Sequence, residues 1–248
     1  MKYAPSRLLV LGVVLACLTS FVSCAKSEVA QKPERQPSAQ PAASEARERL
    51  KTLRLRAEQG DAKAQFDLGS AYAEGQDVPQ DTEQALVWLR KAAEQGHAEA
   101  QFTMGALYAQ GAGVPKDDAQ SAAWFIKAAE QGQVSAQVIL GGLYGLGRGV
   151  TQDDVLASAW LRKAADQGDG TAQLLLGVMY STGNKGVPQD AVEALKWTTL
   201  AAVRATGDDK QRSSDARDAF SKKMTTAQVA DAKKRADEWT AAFEKRKQ

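Results

Sequence analysis

Apolar residues recur along the middle of the chain at the spacing of an α-helix. Over 61–74 they fall at Ala64, Leu68, Ala71 and Tyr72, which share one face at 3.6 residues per turn. Gly75, Val78 and Pro79 come next. Glycine accommodates positive φ and proline cannot continue a helix, so a turn is expected there. A second helix is predicted from Asp81, whose carboxylate can accept first-turn N–H groups, with Gln84 as its capping-box partner. It runs to "KAAEQG", where Gly96 supplies a left-handed position after the helix.

This two-helix pattern returns along the chain. Gly60, Gly96, Gly132 and Gly168 are 36 residues apart, as are Gln65, Gln101, Gln137 and Gln173; Gly69, Gly105, Gly141 and Gly177; and Tyr72, Tyr108, Tyr144 and Tyr180. Trp88, Trp124 and Trp160 keep the period, while Trp197 comes one residue late, after the longer turn "GNKGVPQD". The capping pair recurs as Asp117/Gln120 and Asp190/Glu193, whereas Asp153 is followed by Leu156. The tryptophans and the small residues at Ala64, Gly69, Ala92 and Ala93 read as core. One such unit cannot cover its own apolar face, so the units are expected to stack and to need capped ends. We place four repeats at about 61–96, 97–132, 133–168 and 169–207. Residues 45–60 align with a second helix alone, Leu50 and Leu53 matching Leu86 and Leu89. Residues 208–248 are read as C-terminal capping helices. There Thr225 and Gln228 open a stripe of Val229, Ala232, Ala236, Trp239 and Phe243.

Composition narrows the function classes. The 248 residues carry 32 Lys+Arg against 30 Asp+Glu, which leaves no clustered excess of cations for nucleic acid. Both cysteines, Cys17 and Cys24, lie near the N-terminus, so neither a disulfide framework nor a thiolate metal site is available to the repeats. Lys2 and Arg7 precede an apolar run from Leu8 to Val22, the pattern of a secretory signal peptide spanning residues 1–23. "FVSC" resembles a bacterial lipobox, which makes Cys24 the expected lipidation site. Cleavage after Ala25 and a second box ending at Cys17 are the alternatives. Residues 24–44, rich in Ala, Gln, Pro and Ser, read as a disordered linker.

The second unit, "AEQGHAEAQFTMGALYAQGAGVPKDDAQSAAWFIKAA", resembles the Sel1-like repeat family, a relative of the tetratricopeptide repeats. Met104 takes the usual Leu slot. "MTTAQVADAKKRADEW" is similar to the C-terminal capping helix common among such proteins. The resemblance implies an all-α, right-handed α-solenoid that binds protein partners through a concave surface lined by the first helix of each unit. It also implies roles in envelope assembly, signalling or host interaction. A cysteine-rich branch associated with penicillin binding and β-lactamase activity carries paired cysteines in its repeats. This chain has none there.

Candidate chemistry is sparse. No G-x-S-x-G, H-E-x-x-H, Walker A or C-x-x-C motif occurs, so no catalytic residue, metal ligand or cofactor is assigned and the chain is expected not to be an enzyme. The glycine-dense "GGLYGLGRGV" aligns with interhelix turns, and Asp153 and Asp154 read as a helix start. His97, the single histidine, fills a slot held by Asp61, Gln133 and Asp169 in the other units. It is expected to be a solvent-facing joint whose change to Gln leaves folding nearly intact. Positions that vary between units are free for binding. On the first helix, slot 67 holds Asp67, Thr103, Ile139 and Leu175; slot 70 holds Ser70, Ala106, Gly142 and Val178; slot 74 holds Glu74, Gln110, Leu146 and Thr182. Two readings follow for Ile139, Leu146, Leu175 and Val178. Either they form an apolar partner-binding patch, or the long C-terminal stripe folds back over them as core. The expected function is a monomeric scaffold in the periplasm, anchored to the outer membrane by its N-terminal lipid only, that binds a protein or peptide and no nucleic acid. A cell-wall-active or β-lactamase-like enzyme and a polysaccharide-export scaffold are the alternatives.

Overall fold

The computed structural model describes residues 39–248. Cys24, the signal peptide and most of the linker lie outside the described residues. Those described form two compact units, one ending at Gln133 and the other running from Val134 to Gln248. The first holds α1 (Ala39–Glu58), α2 (Ala62–Glu74), α3 (Thr82–Glu94), α4 (Ala98–Gln110) and α5 (Asp118–Glu130). The second holds α6 (Val134–Leu146), α7 (Asp154–Asp166), α8 (Gly170–Thr182), α9 (Ala191–Arg204), α10 (Gly207–Ser221) and α11 (Thr226–Lys247). The fold is all-α, built of the packed consecutive helix pairs of an α-solenoid. α1 extends to the N-terminal side of residue 45, where the sequence placed its start.

Capping follows the sequence closely. Asp61 and Asp169 accept the N–H of Ala64 and Ala172 at 3.0 and 2.7 Å, opening α2 and α8. Asp81, Asp117, Asp153 and Asp190 do the same for the second helices, at 2.9–3.0 Å. At these four sites the aspartate cap forms, three of them where a capping box was expected, while the reciprocal box closes at Thr225/Gln228. The extra residue before Trp197 is absorbed by a small bridge, Asn184 and Val187 exchanging backbone hydrogen bonds of 2.9 and 2.8 Å.

Within a pair the helices approach at the recurrent glycine of the first helix. A Cβ on Gly141 would sit 2.5 Å from Leu161 Cγ, and one on Gly105 would sit 2.9 Å from Phe125. The tryptophans differ from the expectation of a uniform core. Trp197 is fully buried, but Trp88, Trp124 and Trp160 are half-exposed, each with a lysine over its ring at 3.9–4.3 Å. A lysine stem thus covers apolar area while its ammonium stays in water.

The recurrent glutamines form a buried ladder. Gln65 and Gln101 donate to the carbonyls of Ala57 and Ala93 at 3.0 and 3.1 Å, and receive Gln95 and Gln131 at 2.6 and 2.7 Å. Gln173 donates to Ala165 at 3.1 Å, but its buried Oε1 has no partner among the described residues. An unpaired buried acceptor costs about 1–3 kcal/mol. Gln101→Leu is therefore expected to lose about 1–2 kcal/mol with its two hydrogen bonds, and Gln173→Leu to be near neutral because it also removes the orphan. Urea denaturation checks this, and equal losses would mean the Gln131 contact contributes nothing.

Candidate protein-binding site

The apolar positions of the second unit do not form the exposed patch offered as one reading of the sequence. Ile139 and Leu175 are 2% and 0% exposed, so they are core, whereas Leu146 and Val178 remain half-exposed. Leu175 belongs to a core cluster that includes Ala236 of the C-terminal stripe. α10 packs on both α8 and α9, and Thr171 on α8 donates to Asp209 on α10 at 3.0 Å. Ser213 of α10 is fully buried. The long stripe of α11 packs against α9 and the end of α7. Ala232, Ala236 and Phe243 are buried there, Trp239 donates to Asp166 at 3.2 Å, and Trp239 meets Trp197 edge-on at 6.1 Å. α10 therefore stands where the first helix of a fifth repeat would stand.

Burial beneath this cover raises the Asp169 carboxyl above the usual aspartate range; the nearby Asp209 charge adds to the rise, and the Ala172 and Thr171 N–H groups oppose it. A carboxyl with a raised folded-state value binds its proton more tightly folded than unfolded. Its burial penalty is absent below the unfolded value, about 3.9, and grows as pH rises through the folded one. Asp169→Asn keeps a capping oxygen without the charge. Its melting temperature relative to the native chain is expected to climb between about pH 4 and pH 7. A difference that stays flat over that range would refute the assignment.

His97 is half-buried and not a freely solvated joint. Its Nδ1 accepts the Ala100 N–H at 3.3 Å, the role aspartate plays in α2 and α8, and its ring stacks on Phe66 at 4.8 Å. His97→Gln is expected to lower stability by about 1 kcal/mol, since glutamine is a poor cap and forfeits the stack. His97→Asp is expected to recover the capping part. Indistinguishable denaturation midpoints for the Gln variant and the native chain would refute both contacts.

The open surface lies in the first unit, between α1 and α2, as a groove of about 880 Å³. Leu50, Leu53, Phe66 and Ala71 give it an apolar floor, and Glu45, Glu48, Arg49, Arg56, Asp67 and Asp77 stand around it. Most of these charges are already paired: Arg56 with Asp61 at 2.6 Å, Asp67 with Lys63 at 2.8 Å, Arg49 with Glu45 at 3.5 Å. The Ala64 N–H and the Arg56 guanidinium hold the Asp61 carboxyl below its usual range. Asp77 is the exception, with no ion-pair partner among the described residues. It adopts φ 60° in the slot where Gly113, Gly149 and Gly186 have φ 72°, 71° and 82°. A non-glycine residue held there costs on the order of 1 kcal/mol, a strain that collects at functional positions. The signals for this groove were in the sequence: Asp77 where other units have Gly, and Arg49 and Arg56 where they have Ala or Ser. Among the described residues no three of His, Cys, Asp and Glu converge as a metal site.

A Sel1 repeat family model matches residues 62–97, 98–133, 134–169 and 170–202, more than half of the chain. The crystal structure of a protective antigen of uropathogenic Escherichia coli displaying an SLR fold matches at 41% identity and a TM-score of 0.60. That match covers 63% of this chain and only 33% of the antigen. A Sel1 repeat protein from Oxalobacter formigenes matches at 43% identity and a TM-score of 0.50, over 51% of this chain and 96% of its own. No curated protein matches the chain. Four matched repeats, with capped helix pairs and close-approach glycines at the same slots, place this chain in the Sel1 repeat family.

Proposed function

We propose that this Sel1 repeat scaffold is an exported adaptor, lipidated at Cys24, held at the periplasmic face of the outer membrane, that binds a protein or peptide partner as a monomer. Sel1 repeats are protein-interaction scaffolds. The observation that carries the binding role is the division of labour along each first helix in the first unit. Recurrent residues such as Leu68 and Gly105 are buried, while the variable positions Lys63, Asp67, Ser70, Glu74 and Glu99 face outward or are half-exposed. Residues free to vary between structurally equivalent helices are free to recognise. Export rests on the N-terminal pattern, and the E. coli relative's description as a protective antigen fits an envelope location.

In-cell crosslinking followed by mass spectrometry is expected to recover a specific envelope protein. Recovery of no protein above a repeat-free control sinks the adaptor reading. Radiolabelled palmitate is expected to enter the native chain and not Cys24→Ser. A soluble, unlabelled native chain would leave export without the anchor. Turnover of nitrocefin or peptidoglycan by the purified chain would replace the scaffold with an enzyme.

A further inference from the structure

In every repeat the glycine of the first helix meets the second helix of its own unit, against a large residue in three of them: Gly69 on Leu89, Gly105 on Phe125, Gly141 on Leu161, and Gly177 on the smaller Thr198. α1 is a second helix by register, with Leu53 in the slot of Leu89, and no helix precedes it among the described residues. At the other end of the repeats, α10 fills the next first-helix place. The place before α1 is the groove described above.

Its walls are edited for an exchangeable occupant. Arg49 and Arg56 stand where Ala85 and Ala92 are buried, and Ala71 stands where Leu107, Leu143 and Met179 are found. The sequence one period upstream of α2, residues 26–38, carries Pro33 and Pro37 and does not repeat the apolar slots of a first helix. Of the rim carboxylates, Asp77 has no cation, and Glu48 meets Lys51 only at 3.9 Å across an exposed surface. The unneutralised charge at the groove is therefore acidic.

We propose that this groove docks a short cationic amphipathic helix of a partner protein, which takes a first-helix place that no described residue fills. The proposal rests on the scaffold reading and gives it a site. The four native occupants of the equivalent place, α2, α4, α6 and α8, are each 13 residues long and set a small residue over the large one. The partner helix is expected to be about as long, with Gly or Ala over Leu53 and Lys or Arg toward Asp77 and Glu48.

The probe is a fluorescent synthetic peptide with the sequence of α4 flanked by lysines, titrated into the full mature chain and followed by anisotropy. Saturable binding is expected at a dissociation constant on the order of 10–100 µM, since a short peptide must also order its helix. A glutamate-flanked peptide is expected to bind at least about tenfold more weakly, as opposed charges become like charges. Leu53→Arg is expected to abolish binding. Because Leu53 also touches the core, Asp77→Gly serves as the second variant: it relieves the positive-φ strain, so it folds, and it is expected to weaken binding several-fold. Equal affinity for the two peptides, or no change in Asp77→Gly, overturns the proposal. So does concentration-dependent dimerisation abolished by Leu53→Arg, which would assign the groove to a second copy. If crosslinking in cells recovers a partner from the native chain and Asp77→Gly alike, the adaptor stands and the groove falls. If no partner is recovered while the peptide binds as expected, the adaptor reading fails alone.

Discussion

Trp197→Ala is expected to lower stability by about 3–5 kcal/mol, the cost of emptying a large buried aromatic site. Trp197 is fully buried in the cluster that includes Leu161, Leu176 and Leu200. Its Nε1 donates to Glu193 at 2.9 Å, and Arg162 and Lys196 lie over its ring at 4.8 and 4.5 Å. Glu193 is shared with Lys196 at 3.2 Å and with Arg235 of α11 at 3.2 Å, so the cavity also loosens the seat of α11. Trp88→Ala is the control. That ring is half-exposed beneath Lys91, and its removal is expected to cost about 1–2 kcal/mol in lost apolar burial. Urea denaturation measures both, and limited proteolysis should show α11 cut first in the Trp197 variant. Equal losses at the two tryptophans would refute the assignment of Trp197 as the singular core position of the repeat.

The second large effect compares one substitution at two places in α6. Gly141→Ala is expected to cost about 1–3 kcal/mol through overpacking, even though alanine is the better helix former. Its Cβ would lie 2.5 Å from Leu161 Cγ and 3.3 Å from the Ala157 carbonyl, and neither atom is the free end of a flexible side chain. Gly145→Ala is expected to gain about 0.5–1 kcal/mol, because its Cβ would meet Ala157 Cβ at 3.9 Å, an ordinary contact, while alanine improves helix propensity. The first repeat already holds Ala73 at the equivalent slot. Thermal melts of the two variants should therefore move in opposite directions. A shared direction would show that propensity, not helix approach, decides the slot.

These contrasts mark the boundary between local and tertiary information. Helix pairs, their caps and the repeat boundaries were legible because each depends on neighbours in sequence: Asp before a helix, Gly after it, apolar residues every three or four. Internal repetition supplied four trials of the same pattern, which separated the recurrent Gly141 slot from variable slots such as those of Ile139 and Leu146 before any packing was known. What occupies the next helix's face was not legible. The polar α10 shows no apolar stripe, yet it packs on α8 and α9 and buries Ser213, while Leu175 is core in a cluster with Trp197, Leu200 and Ala236 of α11. The stripe of α11 was visible in the sequence, and it packs on α9 and the end of α7, with Ala236 in the cluster that holds Leu175. His97 looked interchangeable with polar residues because a capping bond is local, while its stack on Phe66 joins residues 31 apart.

By itself, the sequence determined that this chain repeats a two-helix unit four times and that its first-helix positions grade from polar to apolar. Only the tertiary structure decided which end stays open. At the apolar end α10 packs on α8 and α9, a place that follows from where the chain returns rather than from its own pattern. At the polar end α1 and α2 line a groove where Arg49, Arg56 and Asp77 stand at slots held by Ala, Ser or Gly in the other units. Local hydrogen bonding and periodicity dictate elements, whereas the pairing of faces depends on side chains distant in sequence meeting in space.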